Sequence, residues 1–228
     1  MTAAPSPPPP ADAWRMYRAM VGIGLLSGLL IVSAYLLTAP AIRRNRAAAL
    51  QAAIVSVLPA TAATQAFRLG DDGRFAPLAE PAADVPVVHA AYGSDGRLVG
   101  VAVEAQGMGY QDIIRVLYGW DPGRDQIVGL AVLDLRDTPG LGDRIESDPD
   151  FLASVAALDV RLDASGAALA QPIAVAPRGE PRQPWQVDTI TGATITSGAV
   201  AAMLGESAAF WIPRLRQQLA DLERKEGP

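Results

Sequence analysis

The chain has 228 residues, half of them hydrophobic, with 24 acidic and 19 basic side chains, one histidine and no cysteine. That length can bury one core of ordinary domain size. The lack of cysteine excludes disulfides, cysteine-ligated iron–sulfur clusters and thioether-linked haem. A lone histidine makes no histidine-based metal cluster, so any redox chemistry here calls for an organic cofactor.

The charge is uneven. Residues 1–46 hold five arginines against Asp12, a net of +4, whereas residues 47–228 carry a net of −9. An acidic soluble part lacks the basic face that nucleic acid requires, and that class of partner is excluded.

In chain order, residues 1–18 begin with Pro5, Pro7, Pro8, Pro9 and Pro10 and form a disordered, Pro-rich tail. Residues 19–41 carry no charge, long enough at about 1.5 Å per residue to span a hydrocarbon core of roughly 30 Å. Trp14 and Tyr17 stand at one edge, as belt aromatics do. The apolar run exceeds a signal-peptide h-region and lacks a clean cleavage site, so a retained single-pass helix is expected. Gly24-Leu-Leu-Ser-Gly28 would let another membrane helix approach closely. Arg15 and Arg18 flank one side, and Arg43, Arg44 and Arg46 the other. By one residue this count favours a cytoplasmic C-terminal domain.

Residues 42–60 predict a juxtamembrane helix, with Leu50, Ile54 and Leu58 at spacing four and Pro59 as its stop. Residues 61–86 look irregular, with a turn at Asp71-Asp72-Gly73. Two hairpins follow, 85–91 with 97–105 and 113–120 with 126–135. His89, in the apolar run Val85-Pro86-Val87-Val88-His89, reads as a strand residue and not a ligand. Thr138-Pro139-Gly140-Leu141-Gly142 is a rigid loop, 148–158 a short helix, and 159–162 and 173–176 short strands. Residues 177–184 form a polar loop. Val200, Met203, Leu204, Ser207, Ala208 and Trp211 share one helical face. Pro213 should break or kink that helix, leaving 213–228 as a C-terminal amphipathic helix. The class is α+β: an N-terminal transmembrane helix, then one domain, 61–212, of antiparallel hairpins covered by helices.

The chemistry concentrates in Asp188-Thr-Ile-Thr191-Gly192-Ala193-Thr194-Ile-Thr196-Ser197, just before that helical face. Hydroxyls and free N–H groups at a helix start suit an anion such as phosphate. Taken alone, the same residues could be N-caps, each worth about 1 kcal/mol. The run is neither a Walker loop nor a dinucleotide fingerprint, since no lysine follows Gly192 and no G-x-G-x-x-G occurs.

Asp188-x-x-Thr191-Gly192-Ala193-Thr194 matches the flavinylation pattern Asp-x-x-(Ser/Thr)-Gly-Ala-Thr of FMN-binding domains. Residues 138–142 resemble the Thr-Pro-Gly-Leu-Gly loop of the same domains, with Asp137 standing where they commonly have Glu. Their order, spacing and N-terminal anchor resemble the G subunit of the Rnf ion-translocating electron transport complex. The C subunit of the sodium-pumping NADH:quinone oxidoreductase is related.

The resemblance implies covalent FMN, joined through its phosphate to Thr194 by a separate flavin transferase that uses FAD. Gly192 and Ala193 would let the phosphate approach, Thr191 and Thr196 would supply hydroxyls, and Asp188 would serve recognition. Thr138, Gly140 and Leu141 would line the flavin, with Met108-Gly109-Tyr110 as another wall. The family's partners are other membrane and iron–sulfur subunits, with lipid around the helix. Against the arginine count, the resemblance places the domain on the periplasmic side of the cytoplasmic membrane and the Pro-rich tail in the cytoplasm. The chain would then be an electron-relay subunit of an ion-translocating ferredoxin:NAD oxidoreductase, with no complete active site of its own. A regulatory or sensory FMN module, a C-type subunit and a flavin-free interaction domain are the alternatives.

Overall fold

The computed structural model describes residues 13–78, 86–137, 140, 142–177 and 181–223. They fall into two compact units, 1–48 and 49–228. The first is the amino-terminal part of helix α1 (Ala13–Val57), which runs without a break across the boundary expected near residue 41 and continues through Pro40. None of its most apolar stretch is buried. Leu25, Ile31 and Leu37 are each at least 70% exposed. A helix of this length and composition can cross a membrane.

The second unit is built on a seven-stranded antiparallel sheet. Its strands are β1 (Ala63–Leu69), β2 (Phe75–Leu78), β3 (Val87–Tyr92), β4 (Leu98–Met108), β5 (Ile113–Asp121), β6 (Gln126–Asp134) and β7 (Leu158–Asp159), in spatial order β2-β1-β3-β4-β5-β6-β7. The expectation that 61–86 is irregular is corrected by β1 and β2. These strands close a hairpin on the Asp71-Asp72-Gly73 turn, with Leu69 opposite Phe75. Polar residues interrupt its apolar alternation, and Phe67 and Phe75 alone supply large buried side chains there.

Between β6 and β7 lie a 3-10 turn (Gly142–Glu146) and helix α2 (Pro149–Val155). Asp148 caps α2 by accepting from the Phe151 N–H at 3.1 Å. After β7, the two-residue strands β8 (Ala174–Val175) and β9 (Gln186–Val187) pair in parallel. Helix α3 (Thr194–Gln217) and the short α4 (Leu219–Glu223) close the chain. Pro213, expected to break or kink the helix, lies inside α3, which is not broken there and runs on to Gln217.

Period-two alternation decides which residues of the sheet face which layer. Val88, Ala90, Val101, Val103, Val116, Tyr118 and Trp120 join α2 and α3 in the main core, where Val200, Leu204, Ala208 and Ile212 are wholly or almost wholly buried. Each large apolar side chain so buried contributes about 1.5–3 kcal/mol. The Tyr118 hydroxyl and Ser207 Oγ, 3.0 Å apart, tie α3 to β5, and Tyr92 donates to the Leu222 carbonyl at 2.6 Å. The opposite face, with Ala91, Ala102 and Leu117, packs on Ile54, Val57 and Leu58 at the end of α1. That approach is close: a Cβ on Gly129 would stand 2.8 Å from Val57 Cα.

His89, the one histidine, is 6% exposed on β3. Burial pushes its pKa below the ordinary 6.5, with Glu104 opposing in part. The folded chain therefore favours neutral imidazole, whereas the unfolded chain takes up a proton near pH 6.5. Stability rises with pH in this window and is lost as pH falls through 6.5. Thermal midpoints measured between pH 7.5 and 5.5 should fall more steeply for the native chain than for His89→Gln. Parallel profiles would contradict this.

Candidate functional site

The threonine run is shaped before α3 begins. Ser154 of α2, 1% exposed, accepts from the Asp188 N–H at 3.0 Å and donates to the Phe151 carbonyl at 2.7 Å. Residues 190–193 then form a tight turn, closed by the Ala193 N–H on the Ile190 carbonyl at 3.0 Å. Gly192 has φ +88° there, a conformation that costs another residue roughly 1–2 kcal/mol.

Helix α3 starts at Thr194 with Ala193 as N-cap, and no side chain caps it. Helix geometry leaves the N–H groups of Thr194, Ile195 and Thr196 without an intrahelical acceptor. No acidic residue occupies the first turn. The capping alternative raised by the composition of the run therefore does not describe it. A serine, threonine or aspartate at the cap would take up one of those donors, and alanine cannot. What remains is a positive helix end open to an anion.

That end borders a cleft of about 330 Å³ lined by Tyr110, Asp137, Gly142, Gly192, Ala193, Thr194, Ile195 and Thr196. The two nearby hydroxyls differ sharply. Thr194 is exposed at the mouth, whereas Thr196 is 2% exposed and donates to Asp137 Oδ2 at 2.8 Å. A threonine has one hydroxyl proton. Thr196, expected to offer a hydroxyl to a phosphate, lines the cleft but gives that proton to Asp137 in this structure. Gly142 makes room for that carboxylate: a Cβ there would fall 2.1 Å from Asp137 Oδ2.

The other expected residues are dispersed. Thr191 is exposed and gives its carbonyl to Arg144 Nη1, and it does not line the cleft. Asp188 lies away from it too, with its carboxylate 3.7 Å from Arg182 Nε. Gly140, with φ +81°, donates its N–H to Asp143 Oδ1 at 2.7 Å. Thr138, Pro139 and Leu141 lie outside the described residues. Of the suggested second wall, Tyr110 reaches the cleft from the tip of the β4–β5 hairpin. Asp137 and Arg144 were not among the expected site residues. Both flank the Thr-Pro-Gly-Leu-Gly loop, and that position was the available signal.

Comparison with known proteins agrees with this geometry. Residues 109–208 match the model of the FMN-binding domain, a span containing the hairpin tip, Asp137, Gly142 and the whole threonine run. The solved structure of NqrC from Shewanella oneidensis superposes with a TM-score of 0.52 at 20% identity, covering 73% of this chain and 86% of that one. The C subunit of the Na(+)-translocating NADH-quinone reductase from Parabacteroides distasonis gives 0.50 at 24%, covering 71% and 78%. Fold and site together define an FMN-binding domain of mixed α+β architecture, preceded by an apolar helix.

In sequence, the chain is 31% identical over 241 aligned residues to the G subunit of the ion-translocating oxidoreductase complex of Cereibacter sphaeroides, covering 97% of this chain and 96% of that protein. The corresponding protein of Methanosarcina acetivorans is 28% identical over 191 residues, covering 81% and 87%. The chain belongs to the family of G subunits of the ion-translocating oxidoreductase (Rnf) complex, and is a membrane-associated flavin electron-transfer protein.

Proposed function

We propose that this chain carries one FMN as a phosphodiester on Thr194 and relays electrons within an Rnf-type complex that couples ferredoxin:NAD oxidoreduction to ion movement. The observation that carries this reading is the uncapped start of α3, with Thr194 as its first helical residue and the exposed hydroxyl at the cleft. The donor set fits a phosphate: three backbone N–H groups, a helix dipole and no carboxylate in the first turn. Asp137, the acidic group in the cleft, accepts the Thr196 hydroxyl.

When bound, FMN supplies reversible one- and two-electron chemistry. The protein's part is placement. Thr194 supplies the ester oxygen, Gly192 and Ala193 leave the approach to the backbone clear, and Tyr110 and Ile195 offer apolar surface at the cleft edge. A phosphate at a helix start gains about 1–2 kcal/mol from the dipole, roughly tenfold in affinity. A covalent bond removes dissociation altogether, which suits a domain facing a compartment poor in free flavin.

A threonine hydroxyl attacks phosphorus only with a base to accept its proton. No histidine lies near Thr194 in the sequence, so attachment falls to a separate transferase with FAD as donor and AMP as leaving group, and the partly exposed Asp188 is its recognition mark. The domain lies on the periplasmic side, single-pass in the cytoplasmic membrane, with lipid around α1 and the other membrane and iron–sulfur subunits as partners. The three arginines after the span are then a local exception to the charge rule.

Co-expression with a flavin transferase, followed by denaturing electrophoresis under ultraviolet light, should give a fluorescent band for the native chain. Thr194→Ala should lose the band and Thr196→Val keep it. A dark native band beside an active transferase would refute covalent attachment. For orientation, Ser94→Cys places a single thiol on the exposed β3–β4 turn of a chain with no other cysteine. It should react with an impermeant maleimide once the outer membrane is permeabilised; labelling only after cell lysis would place the domain in the cytoplasm.

A further inference from the structure

Gly192 permits the turn before α3 but does not select it. A tight turn with positive φ at its third residue alone is type II, and glycine at that position is equally free to adopt the type I form. The two forms differ by a flip of the central peptide, here Thr191–Gly192. Something must hold that peptide one way up.

The group that does so is Arg144. Its Nη1 donates to the Thr191 carbonyl, the carbonyl of the central peptide. Its Nη2 donates to Asp148 Oδ2 at 3.2 Å. Asp148 is itself fixed, because its Oδ1 caps α2 through the Phe151 N–H and its own N–H donates to the Arg144 carbonyl at 2.8 Å. A rigid chain of contacts therefore runs from the start of α2 to the turn that starts α3.

A trans peptide sets its N–H antiparallel to its C=O. With the carbonyl held on Arg144, the Gly192 N–H points away from the guanidinium. Gly192 lines the cleft, and Arg144 does not. Turned from Arg144 and next to the cleft, the Gly192 N–H is placed to serve beside the donors of Thr194, Ile195 and Thr196.

We propose that Arg144 is a positioning residue for attachment at Thr194, holding the Thr191–Gly192 peptide so that Gly192 N–H joins the anion-binding donors. It rests on the reading of Thr194 as the FMN acceptor. Arg144 touches neither the ester oxygen nor the cleft, and acts through the backbone of the turn.

The test uses the full chain in detergent, an active flavin transferase and FAD, with the rate of in-gel fluorescence followed against chain concentration. Arg144→Met should remain folded by circular dichroism and lose about tenfold or more in the turnover rate of attachment, with its KM as acceptor unchanged. Arg144→Lys, which keeps one donor for the Thr191 carbonyl, should recover part of that loss. Asp148→Asn keeps the cap on α2 but removes the charge that anchors Arg144, and should be slowed severalfold; it decides the matter should Arg144→Met fail to fold. Native turnover in either Arg144→Met or Asp148→Asn overturns the proposal. So does a raised KM with unchanged turnover, which would make Arg144 a contact of the transferase. Fluorescence that survives Thr194→Ala identifies a different failure, that of the acceptor assignment itself.

Discussion

An unfilled helix end is the constraint on which the rest of the site depends. Helix α3 opens with alanine at its cap, three backbone donors without partners and no acid in its first turn. Leaving such an end uncapped forgoes about 1 kcal/mol of stability, and the surrounding contacts hold it in place. Asp137 takes up the Thr196 hydroxyl, which could otherwise compete for the open donors. Ser154 docks the segment at Asp188. The long apolar face of α3, from Val200 to Leu215, fixes the helix on the sheet, so the first turn need not hold itself.

The same contacts explain why one threonine of the run differs from the others. Thr191 is exposed but engaged through its backbone, and Thr196 is buried and engaged through its side chain. Thr194 alone is exposed, in the first helical position, and at the cleft. Three threonines of nearly equal appearance in sequence become chemically distinct through burial and two hydrogen bonds.

Much of the fold was legible in the sequence. Strands β3 to β6 are apolar, β-branched-rich runs that end at strong turn residues, so their limits fall within a few residues of the expected ones. The hairpin of β1 and β2 escaped because an edge hairpin with polar residues on both faces carries a weak period-two signal. Pro213 was misleading for another reason: packing of Trp211, Ile212 and Leu215 in the core outweighs the loss of one helical hydrogen bond. At the site, the motif marked the acceptor but could not mark Asp137 or Arg144. Each acts across about fifty residues of sequence, through contacts that form only when the start of α3 packs beside the 137–146 segment.

The point of flavin attachment decides the chemistry of this site. Peptide mass mapping of the chain matured with its transferase tests it directly, with fragmentation across residues 188–203. The expected result is a single adduct, FMN less one water, on Thr194, with Thr191 and Thr196 unmodified. An adduct on Thr191 or Thr196, or a peptide of unmodified mass in a preparation that retains yellow flavin, would contradict it.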